Sequence, residues 1–166
     1  MPIFQAQIHF RAPLSDPAHT HATLASEYSP HHPIIAQIHK AFNVSPNLAN
    51  TLHGVRRIHQ GSRGRRTSLF PSRKAGGTIP LESRLELAYA VKLECSARVL
   101  SYRTQAVRLP LPGGHSAFPD FLVQMHDGHF ELHEVKPSVA TLSADYLRRC
   151  ETISRLLVPA GIVFRQ

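Results

Sequence analysis

Cysteine is scarce: Cys95 and Cys150 are the only two among 166 residues. Two thiols make neither a disulfide framework nor a zinc cluster, and both read as small buried residues of helical stretches in a reducing cytosol. No uninterrupted apolar run approaches the ~18 residues of a membrane span. The opening MPIFQAQIHF lacks the basic-then-apolar order of a secretory signal, so a cytoplasmic protein is expected. Acid is scarce in one half. Residues 1–80 hold nine Lys or Arg against two acids, whereas residues 81–166 hold ten against nine. The net charge of +8 therefore sits almost wholly on a basic arm attached to a nearly neutral body. Apolar content of 42% argues against a disordered chain, and the length suffices for one domain with a real core.

The densest basic stretch is GSRGRRTSLFPSRK, residues 61–74, whose glycine and serine predict a loop. Arg63, Arg65, Arg66, Arg73 and Lys74 could neutralise several phosphates there, which points to nucleic acid. The plainer reading is a solvated surface loop.

Residues 1–30 show no period and read as loop. In residues 34–44, Ile34, Ile35, Ile38 and Phe42 recur at helical spacing. SPNLANTLHGVRRI predicts a second helix, capped by Ser45 with Pro46 at its first position. The pair resembles a helix-turn-helix on paper, but such pairs are also common packing units. Residues 78–95 read as an amphipathic helix with Leu81, Leu85, Ala88 and Tyr89 on one stripe. RVLSYRTQ and AVRLPLP read as strands, and GGHS as a turn. FPDFLVQM and HFELHEVKP are two more strands joined through HDG. A helix over 143–158 follows, capped by Ser143, with Leu147, Cys150, Ile153 and Leu157 inward. AGIVFRQ closes the order as a strand expected to run parallel to ELHEVK. The sum is an α/β domain with a mixed sheet.

FPDFLVQMHDGHFELHEVKP, residues 118–137, poses the chemical question. Asp120, Glu134 and Lys136 are costly in buried strands unless something charged sits between them. The register decides. A two-residue loop at Asp127-Gly128 puts the acids on opposite faces; an odd loop centred on Asp127 sets Asp120 opposite Glu134, with Cβ atoms about 5 Å apart. The odd loop is the expectation. Two carboxylates so close repel, and a hard divalent cation removes the repulsion. Mg²⁺ suits Asp120, Glu134 and the backbone carbonyl of Val135, and Lys136 could help deprotonate water or stabilise charge on a phosphate. Glu86 could join from its helix, although helix evidence alone makes it an exposed residue. The plain reading of the acid pair is a cross-strand salt bridge. Twelve histidines, with His31-His32 and His126, His129 and His133 the nearest clusters, lack the cysteine partners of a zinc site.

PDF followed by EVK is similar to the PD-(D/E)xK nuclease core. More narrowly, the run from FPSRKAGGTIPLESRLE through SYRTQ to FPDFLV and HEVKP resembles the N-terminal catalytic domain of TnsA-type transposon endonucleases. That family orders a Ser-x-x-Glu helix, a Tyr-x-x-Gln strand, the Asp strand and the acid-x-Lys strand. Here Ser83 to Glu86, Tyr102 to Gln105, Asp120, and Glu134 with Lys136 match in that order, within about residues 65–166. The resemblance implies a restriction-endonuclease-like core over residues 76–166, its mixed central sheet flanked by helices, with residues 1–75 as a basic extension of loops and two short helices. It implies Glu86, Asp120, Glu134 and Lys136 as catalytic residues, Gln105 near DNA, and Mg²⁺, with Mn²⁺ substituting. It further implies cleavage of one strand at transposon ends, beside an integrase-type (TnsB-like) transposase subunit and a regulator ATPase, in a bacterial cytoplasm. Ala106 stands where the family usually has Pro, and the winged-helix domain many members carry is not in these 166 residues. Another nuclease on the same core, for restriction or repair, and a non-catalytic DNA-binding module are the competing readings.

Overall fold

The computed structural model describes residues 32–58, 67–138 and 143–166. Arg63, Arg65 and Arg66, and the expected loop over residues 1–30, lie outside these residues. Helix α1 spans Pro33–Phe42 and starts where the sequence predicts, with Pro33 in its first turn and His32 Nδ1 accepting from the Ile34 N–H. Ile34, Ile38 and Ala41 form its buried face.

The helix expected to begin at Ser45 does not form. Asn47 Oδ1 instead accepts from the N–H groups of Ala49 and Thr51, an Asx turn that competes with helix. Asn50 adopts a left-handed φ of 55°, and Thr51 bridges to Thr78. Gly54 lies so close to the backbone of Thr104 and Gln105 that a Cβ there would meet the Thr104 carbonyl oxygen at 2.2 Å. There is thus no helix-turn-helix among the described residues.

Strands β1 (Ser68–Ser72) and β2 (Gly77–Leu81) form an antiparallel hairpin. The basic stretch read as loop is therefore a strand from Ser68 to Ser72, and the 75/76 boundary falls in the hairpin turn. Helix α2 spans Arg84–Cys95 rather than starting near residue 78. Its buried residues are Glu86, Ala90 and Leu93; Leu85 is exposed. The true stripe is rotated because Leu81, which set the predicted one, belongs to β2. Cys95 is exposed, against expectation, and Cys150 is buried.

The central sheet has the order β3 (Val99–Thr104), β6 (Phe121–Met125), β7 (Phe130–His133), β8 (Val163–Arg165). The first three run antiparallel and β8 runs parallel to β7, as the crossover through helix α3 (Ala144–Leu157) requires. The stretch AVRLPLP yields only the two-residue β4 (Leu109–Pro110), paired with β5 (Ser116–Ala117). In α3, Ser143 caps and Cys150, Ile153 and Leu157 are buried as expected, but Leu147 is exposed.

Alternation along β6 divides the core. Phe121, Val123 and Met125 join Ala90, Leu93 and Ile79 on the α2 side. Leu122 joins Leu132, Ile34, Ile38, Ile153 and Leu157 on the α1 and α3 side. The irregularity between Val99 and Ser101 lets Val99 and Tyr102, three apart, face the same cluster. Helices thus cover both faces of a mixed sheet, an α/β arrangement. Among the described residues, no helix is long and apolar enough to cross a membrane.

Candidate active site

The β6–β7 register sets the site. Phe121 pairs with His133, Leu122 with Leu132 and Val123 with Glu131, and Met125 N–H donates to the His129 carbonyl. The loop is therefore His126-Asp127-Gly128, with Gly128 at φ 92°, where only glycine is unstrained. This is the odd-loop register; the ladder ends at Phe121 and His133, and Asp120 and Glu134 are the next residues on each chain segment. Beyond the ladder the Val135 N–H donates to Asp120 Oδ2 at 2.8 Å, and the Glu134 N–H to the Arg165 carbonyl at 2.9 Å.

Glu86 arrives from α2. Ser83 Oγ accepts from the Glu86 N–H and donates to Glu86 Oε1 at 2.9 Å, while Glu86 Oε2 accepts from the Glu82 N–H. This reciprocal cap starts the helix and turns a carboxylate inward. Glu86 is buried, not the exposed helical residue that periodicity implies.

Glu86, Asp120, Glu134, Val135 and Lys136 line one cavity of about 980 Å³, together with Gln105. Burial raises the Asp120 carboxyl from 3.8 to about 6, and the charges of Glu86 and Glu134 push the same way against Lys136. Lys136 Nζ lies 3.0 Å from Glu134 Oε1 and over the Tyr146 ring. Gln105, with φ at 46°, is a strained non-glycine residue; its Nε2 reaches Glu82 at 3.4 Å and its Oε1 is buried without a hydrogen-bond partner.

Arg73 and Lys74 line neither this cavity nor its neighbour. Lys74 Nζ donates to the Leu93 and Ser96 carbonyls and so closes the C-terminus of α2. Sequence reasoning missed Arg149, which reaches to 3.6 Å from Glu134 Oε2, and Arg56, which pairs with Glu82 at the rim. Arg149 precedes Ile153 by four positions, at the edge of the apolar stripe of α3, and that spacing could have marked it.

Among the described residues, no three His, Cys, Asp or Glu side chains are gathered closely enough to hold a metal ion. The donor chemistry nevertheless suits a hard cation. The carboxylates of Glu86, Asp120 and Glu134 line one cavity, burial raises the pKa of Asp120, and Glu134 Oε2 is buried with no hydrogen-bond partner. No family model matches the chain, and no curated protein matches it closely enough to bear on function.

Proposed function

We propose that this protein is a metal-dependent DNA endonuclease with a restriction-endonuclease-like core, acting as a TnsA-like subunit that cuts one strand at transposon ends. What carries the reading is that Glu86, Asp120, Glu134 and Lys136, drawn from three separate motifs, line a single cavity in which burial, and then the neighbouring acids, raise the pKa of Asp120. Asp120 and Glu134 would hold Mg²⁺ or Mn²⁺ with the Val135 carbonyl, and Glu86, whose carboxylate caps α2, would join only by turning toward the ion. The ion, when bound, supplies Lewis-acid activation of water and neutralises phosphate charge.

The protein's own groups do the rest. The Val135 N–H fixes one oxygen of Asp120 and leaves the carboxylate oriented. Lys136, at the partly exposed edge of the cavity, can meet charge developing on a phosphodiester or move a proton. Arg149 brings a second cation from α3 to Glu134, the carboxylate that Lys136 also faces. An integrase-type transposase subunit would cut the other strand, with a regulator ATPase controlling the pair.

Calorimetry with Mg²⁺ and Mn²⁺ on wild type and Asp120→Ala, followed by a nicking assay with and without the partner transposase, tests the proposal. Binding by wild type alone, and nicking that needs the partner, is the expected result. No metal affinity in wild type would leave a DNA-binding module. Cutting without the partner would indicate a restriction or repair nuclease.

A further inference from the structure

A second cavity, of about 730 Å³, adjoins the first, and Leu111, His115 and Ser116 line both. The divider is the turn at Pro112–Gly114, whose two glycines both take left-handed φ. The two chambers differ in chemistry. The first is lined by Glu82, Glu86, Asp120 and Glu134. Among the described residues no Asp or Glu lines the second, whose cations are Lys40, Arg103 and Arg108. Its floor is apolar, with Ala41, Leu52 and Ala106 among its residues. His53 Nδ1, also in its lining, is buried without a hydrogen-bond partner.

The two arginines are held in place. Arg103 donates to the carbonyls of Ala41, Phe42 and Tyr102 and lies over the Phe42 ring. Arg108 Nε donates to Ser116 Oγ, and its backbone N–H to Gln37 Oε1. A concave, acid-free, cationic chamber with an apolar floor fits a polyanion that also carries flat apolar groups. It abuts a chamber suited to a phosphodiester.

We propose that this second cavity takes the unpaired nucleotides next to the scissile phosphate, a single-stranded DNA segment. The choice of DNA rests on the nuclease reading; the choice of a single strand rests on shape. A duplex keeps its bases stacked inside, whereas an unstacked strand can put them into a pocket. Imidazole and guanidinium planes, here His53, His115 and Arg103, can stack on bases, and the apolar floor receives what remains.

The test uses a labelled oligodeoxythymidine of about 12 nucleotides, in EDTA, so that neither metal nor cutting enters. Lys40 and Val44 are exposed on the rim, where charge reversal leaves the core intact. Lys40→Glu and Val44→Glu should each weaken binding about tenfold, and Lys40→Ala should reduce the salt slope by about 0.7. Asp120→Asn should bind as wild type or more tightly. Wild-type affinity in both charge variants, or no binding by wild type, overturns the proposal. Equal binding of a polyglutamate peptide, lost in the same variants, also overturns it and makes the cavity a site for an acidic protein segment. Strand binding that obeys these expectations in a protein without metal affinity would sink the nuclease reading alone.

Discussion

Asp120→Asn should make the metal-free protein more stable while removing its metal affinity. The Asp120 carboxyl loses its proton near 3.8 in the unfolded chain and at about 6 in the folded one. Between those values the native state holds the extra proton, so stability falls as pH rises through the window and stays lowered above it. A shift of this size corresponds to about 3 kcal/mol. Partial solvent access lowers the expected figure to about 1–3 kcal/mol. Asparagine has no charge to desolvate and can still accept the Val135 N–H. Urea unfolding in EDTA near pH 4 and near pH 8 is the assay. The variant should gain about 1–3 kcal/mol over wild type near pH 8 and little near pH 4. Added Mg²⁺ at about a hundredfold its dissociation constant should raise wild-type stability by about 2.7 kcal/mol and leave the variant unchanged. An equal effect of the substitution at both pH values, or a loss near pH 8, would refute the argument that Asp120 is ionised against its surroundings.

Glu131 is a different case. Burial alone would raise its pKa, but hydrogen bonds from Arg165, His129 and His133 outweigh it and pull the carboxyl down to about 2. Its contribution is present above about 4.5 and is lost as pH falls toward 2. Glu131→Gln should cost about 3 kcal/mol at neutral pH and flatten that acid limb, read by urea unfolding across pH. Ser83→Ala, which removes the cap of α2, should cost about 1 kcal/mol by the same assay. Ile38→Ala should cost about 2–5 kcal/mol, because that fully buried side chain packs against the central sheet. A change below 1 kcal/mol would mean that α1 lies outside the cooperative unit.

Much of the body was legible because its signals are local. Helix α1 announced itself through three isoleucines, and β6 and β7 through an odd loop whose Gly128 takes the positive φ. The acids were legible for the same reason, since one ladder register carries both. Long-range contact defeated the rest. Ser45-Pro46 imitates a helix start, but Asn47, Asn50 and Gly54 give the chain turn chemistry, and the bridge to Thr78 fixes it. Leu81 and Leu85 imitate a helical stripe across a strand-to-helix junction. The hold of Lys74 on the end of α2 was not legible, because nothing nearby in sequence announces the Leu93 and Ser96 carbonyls.

The start of α2 ties ion uptake to local folding. Both oxygens of Glu86 already serve the first turn, one through Ser83 and one through the Glu82 amide. If Glu86 turns toward a cation, those groups lose an acceptor and the helix end must fray or find water. Saturation would then quicken amide exchange at Glu82 even as the domain as a whole grows harder to unfold, and the ion's affinity would carry the penalty of an uncapped turn.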